Sequence, residues 1–219
     1  DGPLWAGHIG HVVAEAQARL WSTADLVIAA GSLLGDVETQ GYAFPAFPVP
    51  DQPLIQIHHD PGQLGRHYRP TLAVCADAAQ TLDRLATHPE AGRISDGWAK
   101  ELNARAVPTE QELASAGPYG QVISTLDRLA AGDCIVTMDS GRFASAAHRF
   151  FRYGGERLLV GTASGAMGNA IPAAVAAARR HPGRQVIAIV GDGGLMMTGN
   201  ELATAMHLGC DIRILVANN

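Results

Sequence analysis

Val186-Ile187-Ala188-Ile189-Val190-Gly191-Asp192-Gly193-Gly194 is an unbroken apolar run of strand length that stops on an aspartate set among glycines. The end of the chain, Ile212-Arg213-Ile214-Leu215-Val216-Ala217-Asn218-Asn219, has the same form with a pair of amides in place of the acid. A continuous apolar run reads as a strand buried on both faces, as in parallel sheets covered by helices. Between the two strands the sequence predicts one helical segment, roughly Gly199 to Leu208. A helix of about ten residues rises about 15 Å, and a strand of about six residues returns about 20 Å. The 27-residue offset from Asp192 to Asn219 therefore fits one right-handed crossover, which brings the chain back to the edge it left. Asp192 and Asn219 then stand together at the carboxyl edge of two neighbouring strands, where open α/β sheets bind ligands.

That juxtaposition suits a hard cation and a diphosphate. Mg²⁺ takes about six oxygen ligands near 2.1 Å, few from protein and the rest from phosphates and water. Asp192 offers a charged oxygen and Asn219 a neutral one. Gly193 and Gly194 let backbone N–H groups come close to phosphate oxygens. Taken alone, the tetrapeptide Gly191–Gly194 reads better as a strand-ending turn, and Asn218-Asn219 as a loop. The pairing of acid and amide at matched topology favours the cation site.

The remaining composition sets bounds. A chain of 219 residues, 47% of them hydrophobic, supports one large or two small cores. A net charge of −5 without a basic run argues against a nucleic-acid partner. No apolar stretch reaches the roughly 18 residues of a membrane span, which argues against a membrane partner. Cys75, Cys134 and Cys210 are odd in number and widely spaced, and are expected to be buried thiols of a reducing, cytoplasmic compartment. No signal peptide is expected. The sequence opens on Asp1 and stops on the motif, so the expectation is a piece of a longer protein.

Two α/β halves are predicted. In the first, His8 to Trp21 reads as a helix and Asp25 to Ala30 as a strand ending at Gly31. Phe44 to Pro53 is too rich in helix and strand breakers for regular structure. Leu54 to His58 and Thr71 to Cys75 read as strands. Asp60 caps a short helix, and Asp77 caps a helix over Ala78 to Ala86. The polar stretch Thr87 to Gly117 holds one exposed helix, Asp96 to Arg105, and a linker. In the second half, Tyr119 to Leu129 is a helix, Cys134 to Met138 a strand, Leu158 to Val160 a short strand and Asn169 to Arg180 an Ala-rich helix. Asp139-Ser140-Gly141 reads as the turn after the Cys134 strand.

With these motifs placed, the sequence resembles the thiamine diphosphate enzymes, in their acetolactate synthase-like and 2-oxo acid decarboxylase branch. Gly191-Asp192-Gly193 with Asn218-Asn219 resembles the family's cofactor signature. Gly165-Ala166-Met167-Gly168-Asn169-Ala170-Ile171-Pro172-Ala173-Ala174 resembles its Gly-x-Met-Gly-x-Gly-x-Pro-Ala-Ala run, with Ala170 in place of a usual Gly. Ala24 to Gly31 and Ile55 to Pro61 resemble its central domain more weakly. The resemblance implies an α/β fold of two three-layer, parallel-sheet, Rossmann-like domains. Residues 1–88 would be the C-terminal part of the central domain, 89–117 a linker, and 118–219 a truncated diphosphate-binding domain. The pyrimidine-binding domain, with the family's catalytic glutamate, would lie outside this chain, so the catalytic residues are not assigned here and the chain alone is expected to be inactive.

The resemblance also implies roles by position. Asp192 and Asn219 would ligate Mg²⁺, and Gly193 and Gly194 would offer backbone amides to the diphosphate. Gly165 would accept a hydrogen bond from the cofactor's pyrimidine amino group. Met167 would prop the cofactor in its bent form, with core packing as the competing role. Met197 would lie near the cofactor, or in the helix core. Ser140-Gly141-Arg142-Phe143 sits where synthase-like members carry Val-Gly-Gln-His. Arg142 could pair with phosphate bidentately, or be a surface arginine, while Phe143 cannot donate a hydrogen bond. FAD is not expected, because Leu33-Leu34-Gly35-Asp36-Val37 lacks the arginine of FAD-binding members. His58-His59-Asp60 reads as a strand end beside a capping acid rather than as metal ligands.

The expected activity is a thiamine diphosphate- and Mg²⁺-dependent lyase or transferase acting on a small 2-oxo acid, as homodimer or homotetramer. The alternative is a non-catalytic cofactor-binding or assembly subunit of the same fold. A nicotinamide dehydrogenase is disfavoured, since no Gly-x-Gly-x-x-Gly follows a candidate strand.

Overall fold

The computed structural model describes residues 5–7, 10, 13, 15–89, 96–162 and 164–218. Its contacts form two compact units, Pro3–Val107 and Pro108–Asn219.

The first unit contains α1 (Glu15–Trp21), β1 (Val27–Ala30), β2 (Leu54–His58), β3 (Leu72–Cys75), α2 (Ala78–Thr87) and α3 (Asp96–Ala106). The strands form a parallel sheet in the order β1-β2-β3. Ala29, Leu34, Leu54 and Tyr68 are its buried centre. The capping acids act as the sequence predicts. Asp77 Oδ1 accepts from the Gln80 N–H at 2.9 Å. Asp60 Oδ1 accepts from the Gly62 N–H at 2.8 Å, at the start of a 3-10 turn over Pro61–Gln63. Two expectations are corrected. The helix expected from His8 is described only from Glu15; Gly10 and Val13 are not helical, and 8, 9, 11, 12 and 14 lie outside the described residues. Helix α3, expected to be exposed, buries Ala99, Leu102 and Ala106, spaced to share one helical face.

The second unit contains α4 (Glu110–Ser115), α5 (Gly117–Leu129), β4 (Ile135–Met138), α6 (Arg142–Phe150), β5 (Leu158–Val160), α7 (Ala170–Arg180), β6 (Val186–Gly191), α8 (Asp192–Thr198), α9 (Glu201–His207) and β7 (Ile212–Ala217). The sheet is parallel throughout, in the order β5-β4-β6-β7. Every residue of β6 is buried. Alternate residues of the central strands feed opposite cores. Val136, Met138, Ile187 and Ile189 meet Ile123, Phe143, Ala147 and Phe151 of the α5–α6 side. Ile135, Val186, Ala188 and Val190 meet Ala170, Ile171, Ala174 and Ala177 of α7. This is the three-layer arrangement that continuous apolar strands require.

The predicted crossover is present, with β6 and β7 adjacent and Gly191 in register with Ala217. The single helix expected between them is instead two, α8 and α9, which meet at Gly199 and Asn200. The first begins on Asp192 itself, so Gly191-Asp192-Gly193-Gly194 is a strand end passing directly into a first helical turn. Two further helices are not among the predicted elements: α4 falls where the sequence predicts a linker, and α6 begins directly after the predicted Asp139–Gly141 turn.

Candidate functional site

The strand order creates one special place. From β4 the chain moves to β5 on one side, then returns past β4 to β6 on the other. Connections leave in opposite directions between β4 and β6, and such a switch point opens a crevice outside the carboxyl ends of the two strands. Asp139-Ser140-Gly141 follows β4 there, and Asp192-Gly193-Gly194 follows β6.

The connection from β5 to α7 comes back across this edge and brings the predicted residues together. An added Cβ on Gly165 would stand 3.8 Å from Ser140 Oγ. One on Gly193 would stand 2.9 Å from Met167 Cε, and one on Gly168 3.3 Å from Met197 Cβ. Gly165 and Gly168 have φ of +67° and +85°, left-handed values that favour glycine and turn this connection sharply. Ser140, Gly165, Met167, Gly193, Gly194 and Met197 therefore surround one edge. The two methionines are not core residues: Met167 is 47% exposed and Met197 61%.

The residue that joins these pieces, Asp139, reads in the sequence only as part of a turn. Asp139 is 2% exposed. Its Oδ2 accepts from the Gly168 N–H at 2.7 Å and its Oδ1 from the Ala170 N–H at 2.6 Å. Its own N–H donates to Ile189 O of β6 at 3.1 Å, which fixes its backbone. Two residues earlier, on β4, Thr137 Oγ1 donates to Ala170 O at 2.8 Å. The end of β4 thus holds both the N–H and the carbonyl of the first residue of α7. On its other side, a Cβ added to Gly194 would overlap Asp139 Oδ2. The available sequence signal is an acid directly after a strand that is apolar but for Thr137, much like the signal that singles out Asp192.

The two strand-end aspartates differ in environment. Asp139 is buried and bonded inward. Asp192 is exposed, in the first turn of α8, where helix N–H groups have no intrahelical partner. Its carboxylate makes no ion pair among the described residues. Arg142 is likewise exposed, in the first turn of α6 at the end of β4. Gly141 caps that helix. Asn219 lies outside the described residues; the preceding Asn218 accepts a hydrogen bond through its carbonyl from Tyr119 Oη at 3.4 Å. Phe143 points inward: it is 8% exposed, and Cβ atoms added to Gly141 and Gly191 would meet its ring at 2.5 and 3.1 Å. Phe143 is therefore a core residue, and its bulk explains why glycines stand at 141 and 191.

The other candidate clusters resolve into structure. His58 Nδ1 lies 3.0 Å from the Asp60 N–H, and its ring stacks on His59 with centroids 4.6 Å apart. Hydrogen bonds from the Gly62 N–H and the Gln63 amide hold the Asp60 carboxyl below its usual range. Among the described residues, no group of three or more His, Cys, Asp or Glu side chains gathers to hold a metal. A site of one carboxylate, one amide and phosphate or water oxygens would not form such a group. Of the three cysteines only Cys134 is buried, which pushes its thiol pKa up; Cys75 is exposed and Cys210 half-buried, contrary to expectation. Among the described residues, no helix is long and apolar enough to cross a membrane.

The packing around the glycines makes a prediction. Gly194→Ala should destabilise the protein by about 1–3 kcal/mol, the usual cost of overpacking, because the obstacle is a buried, doubly bonded carboxylate. Gly193→Ala should cost less, because only the free end of Met167 must move. Denaturant unfolding of the two variants checks this order; equal costs would contradict it.

Comparison with known proteins points the same way. Residues 1–85 match the profile described as the central domain of thiamine pyrophosphate enzymes. Residues 139–219 match that of their C-terminal, thiamine pyrophosphate-binding domain. A putative thiamine pyrophosphate-containing protein, YdaP of Bacillus subtilis (strain 168), is 26% identical over 99% of this chain and 38% of its own length. A pyruvate oxidase of Lactiplantibacillus plantarum is 31% identical over 75% of this chain and 28% of its own. Acetolactate synthase 1 of Oryza sativa subsp. japonica, a chloroplastic protein, is 30% identical over 76% of this chain and 27% of its own. The chain thus spans 27% to 38% of the length of these relatives.

Proposed function

Because this chain belongs to the thiamine pyrophosphate enzymes, we propose that its β4–β6 edge anchors thiamine diphosphate through Mg²⁺ in an enzyme acting on a 2-oxo acid. The observation that carries the reading is the assembly of that edge. An exposed, unpaired carboxylate, Asp192, stands beside backbone at Gly193 and Gly194, while the loop of Gly165 and Met167 closes over the same turn.

The residues present fit the group. Asp192 supplies the charged oxygen that a hard cation prefers, and Asn219 the neutral one. The N–H groups of Gly193 and Gly194, in a first helical turn, face anions favourably. Gly194 has no room for a side chain beside Asp139, which keeps backbone rather than side chain at this position. Arg142 and Ser140, exposed at the end of β4, supply a cation and a hydroxyl to phosphate oxygens, with the backbone of Gly141 between them. The Gly165 carbonyl accepts from an amino group. Met167 and Met197 supply adaptable apolar surface. When bound, thiamine diphosphate supplies the carbon nucleophile and electron sink that 2-oxo acid chemistry needs. The chain's own part is to bind and orient it.

The relatives named acetolactate synthase and pyruvate oxidase support a 2-oxo acid as substrate, and a transferase or lyase as the class. In this reading residues 1–88 belong to a central domain and 118–219 to a diphosphate-binding domain. The working protein is a homodimer or homotetramer, and three unpaired cysteines suit a cytoplasmic setting. The test is a panel of 2-oxo acids offered to the full-length protein. Consumption of one of them should require both thiamine diphosphate and Mg²⁺, and EDTA should abolish it. Cofactor binding without turnover of any acid would instead favour a non-catalytic cofactor-binding or assembly subunit. Absence of binding would overturn the proposal.

A further inference from the structure

Asp139 is a buried carboxylate that makes no ion pair among the described residues and does not open to solvent. Burying a charge is costly unless it is fully hydrogen-bonded. The compensation comes from two backbone N–H groups of the loop that carries Gly165 and Met167, at 2.7 and 2.6 Å. Such bonds to an ionised acceptor are short and about twice as strong as neutral ones. Neither donor has another partner of its own element. Gly168 lies in an irregular loop, and Ala170 is the first residue of α7, whose N–H has no intrahelical acceptor. On the opposite side Asp139 Oδ2 fills the space where a side chain on Gly194 would stand. One side chain at the end of β4 therefore sets the position of the loop above β6 against the first turn of α8.

We propose that Asp139 is a positioning residue of the cofactor site: its carboxylate fixes the loop over 165–169, and with it Gly165 and Met167, against the Gly193–Gly194 turn. This rests on the reading of that edge as a thiamine diphosphate anchor. Asp139 touches neither metal nor phosphate in this account, and acts through the loop. The charge and the shape of the carboxylate both matter. An amide in its place keeps one acceptor oxygen and turns an NH₂ group toward the second N–H.

Hydrogen exchange of the unmodified full-length protein tests the clamp without any variant. With peptides that resolve single residues, the Gly168 and Ala170 amides should exchange at least about 100-fold more slowly than solvent-exposed loop amides, as expected of amides freed only by structural opening. Exchange of both at ordinary loop rates would overturn the proposal. In Asp139→Asn these two amides should lose protection while those of β4 and β6 keep theirs. The apparent KM for thiamine diphosphate should rise by about 10–100-fold, the usual cost of losing a group that orients a ligand-binding residue. At saturating cofactor kcat should recover to within about threefold of wild type. An unchanged KM with kcat lowered in proportion to the folded fraction would overturn a positioning role. If Asp139→Asn does not fold, the exchange of the unmodified protein alone decides. If the wild type binds no thiamine diphosphate, the functional reading fails, and the exchange result still decides whether the clamp exists.

Discussion

Asp192→Ala in the full-length protein is expected to weaken Mg²⁺-dependent thiamine diphosphate binding by at least about 100-fold in calorimetry, since loss of even an outer-shell partner costs 10–100-fold. Asp192 contributes the only carboxylate in the motif after β6, and an alanine offers the cation nothing. The fold should hardly notice. The side chain is exposed and makes no ion pair among the described residues. What the fold loses is an acid in the first turn of α8, worth about 0.3–1 kcal/mol against the helix dipole. Affinity and stability are thereby separated: a large loss of the first with little of the second marks a ligand. Unchanged affinity in Asp192→Ala would remove the residue from the site.

The second large effect lies at the opposite end of the same sheet. Arg157→Ala should destabilise the second unit by about 3–5 kcal/mol, the cost of breaking a buried ion pair. Asp127, near the end of α5, is 6% exposed. Its Oδ1 accepts from Arg157 Nη1 at 2.6 Å and its Oδ2 from Arg152 Nε at 2.8 Å. The same guanidinium donates to the carbonyls of Asp127, Ala130 and Ala131 at 3.1, 2.9 and 3.1 Å. Asp127 is in the last turn of α5 and Ala130 is its C-cap, where carbonyls have no helical partner. The Arg157 Cζ also lies 5.1 Å from the centroid of the Phe151 ring. Removal leaves a buried carboxylate whose partners among the described residues are the exposed Arg152 guanidinium and that residue's N–H. Arg157→Lys should restore little, because one ammonium cannot serve this fork of acceptors. A fall of about 10 °C or more in the thermal midpoint is expected, with thiamine diphosphate affinity near wild type below the transition. A fall of only a degree or two would contradict it.

The legible parts of this fold are those where one physical signal dominates. The strands β4 and β6 are buried at every position and apolar but for Thr137, which leaves no other reading, while β2 and β7 carry the same signal interrupted by Gln56 and by Arg213. The caps at Asp60 and Asp77 are local chemistry, visible without tertiary structure. The start of α8 was hidden because Gly193 and Gly194 have poor helix propensity. Packing of the Asp192 turn against Asp139 and Met167 overrides it. Helix α6 carried a signal at Phe143, Ala147 and Phe150, spaced by four and three, but the motif reading of Ser140 to Phe143 obscured it. Helix α4 announced itself through Thr109 and Glu112, a capping box in which Thr109 Oγ1 accepts from the Glu112 N–H and the glutamate reaches back.

At the candidate site, residue identity was legible and partnership was not. Asp192, Gly165 and Met167 could be picked out by motif. Nothing along the chain says that Asp139 bonds to residues 29 and 31 positions later, or that Phe143 turns into the core. Both depend on β4 lying between β5 and β6, a property of the sheet order.

The most direct test of the central claim is a crystal structure of the full-length protein grown with thiamine diphosphate and Mn²⁺ in place of Mg²⁺, with the metal located by anomalous scattering. The account predicts one peak within bonding distance of the Asp192 carboxylate and the diphosphate, at the carboxyl edge of β6 and β7, with Met167 against the cofactor. A metal peak or a diphosphate bound away from Asp192 would contradict it.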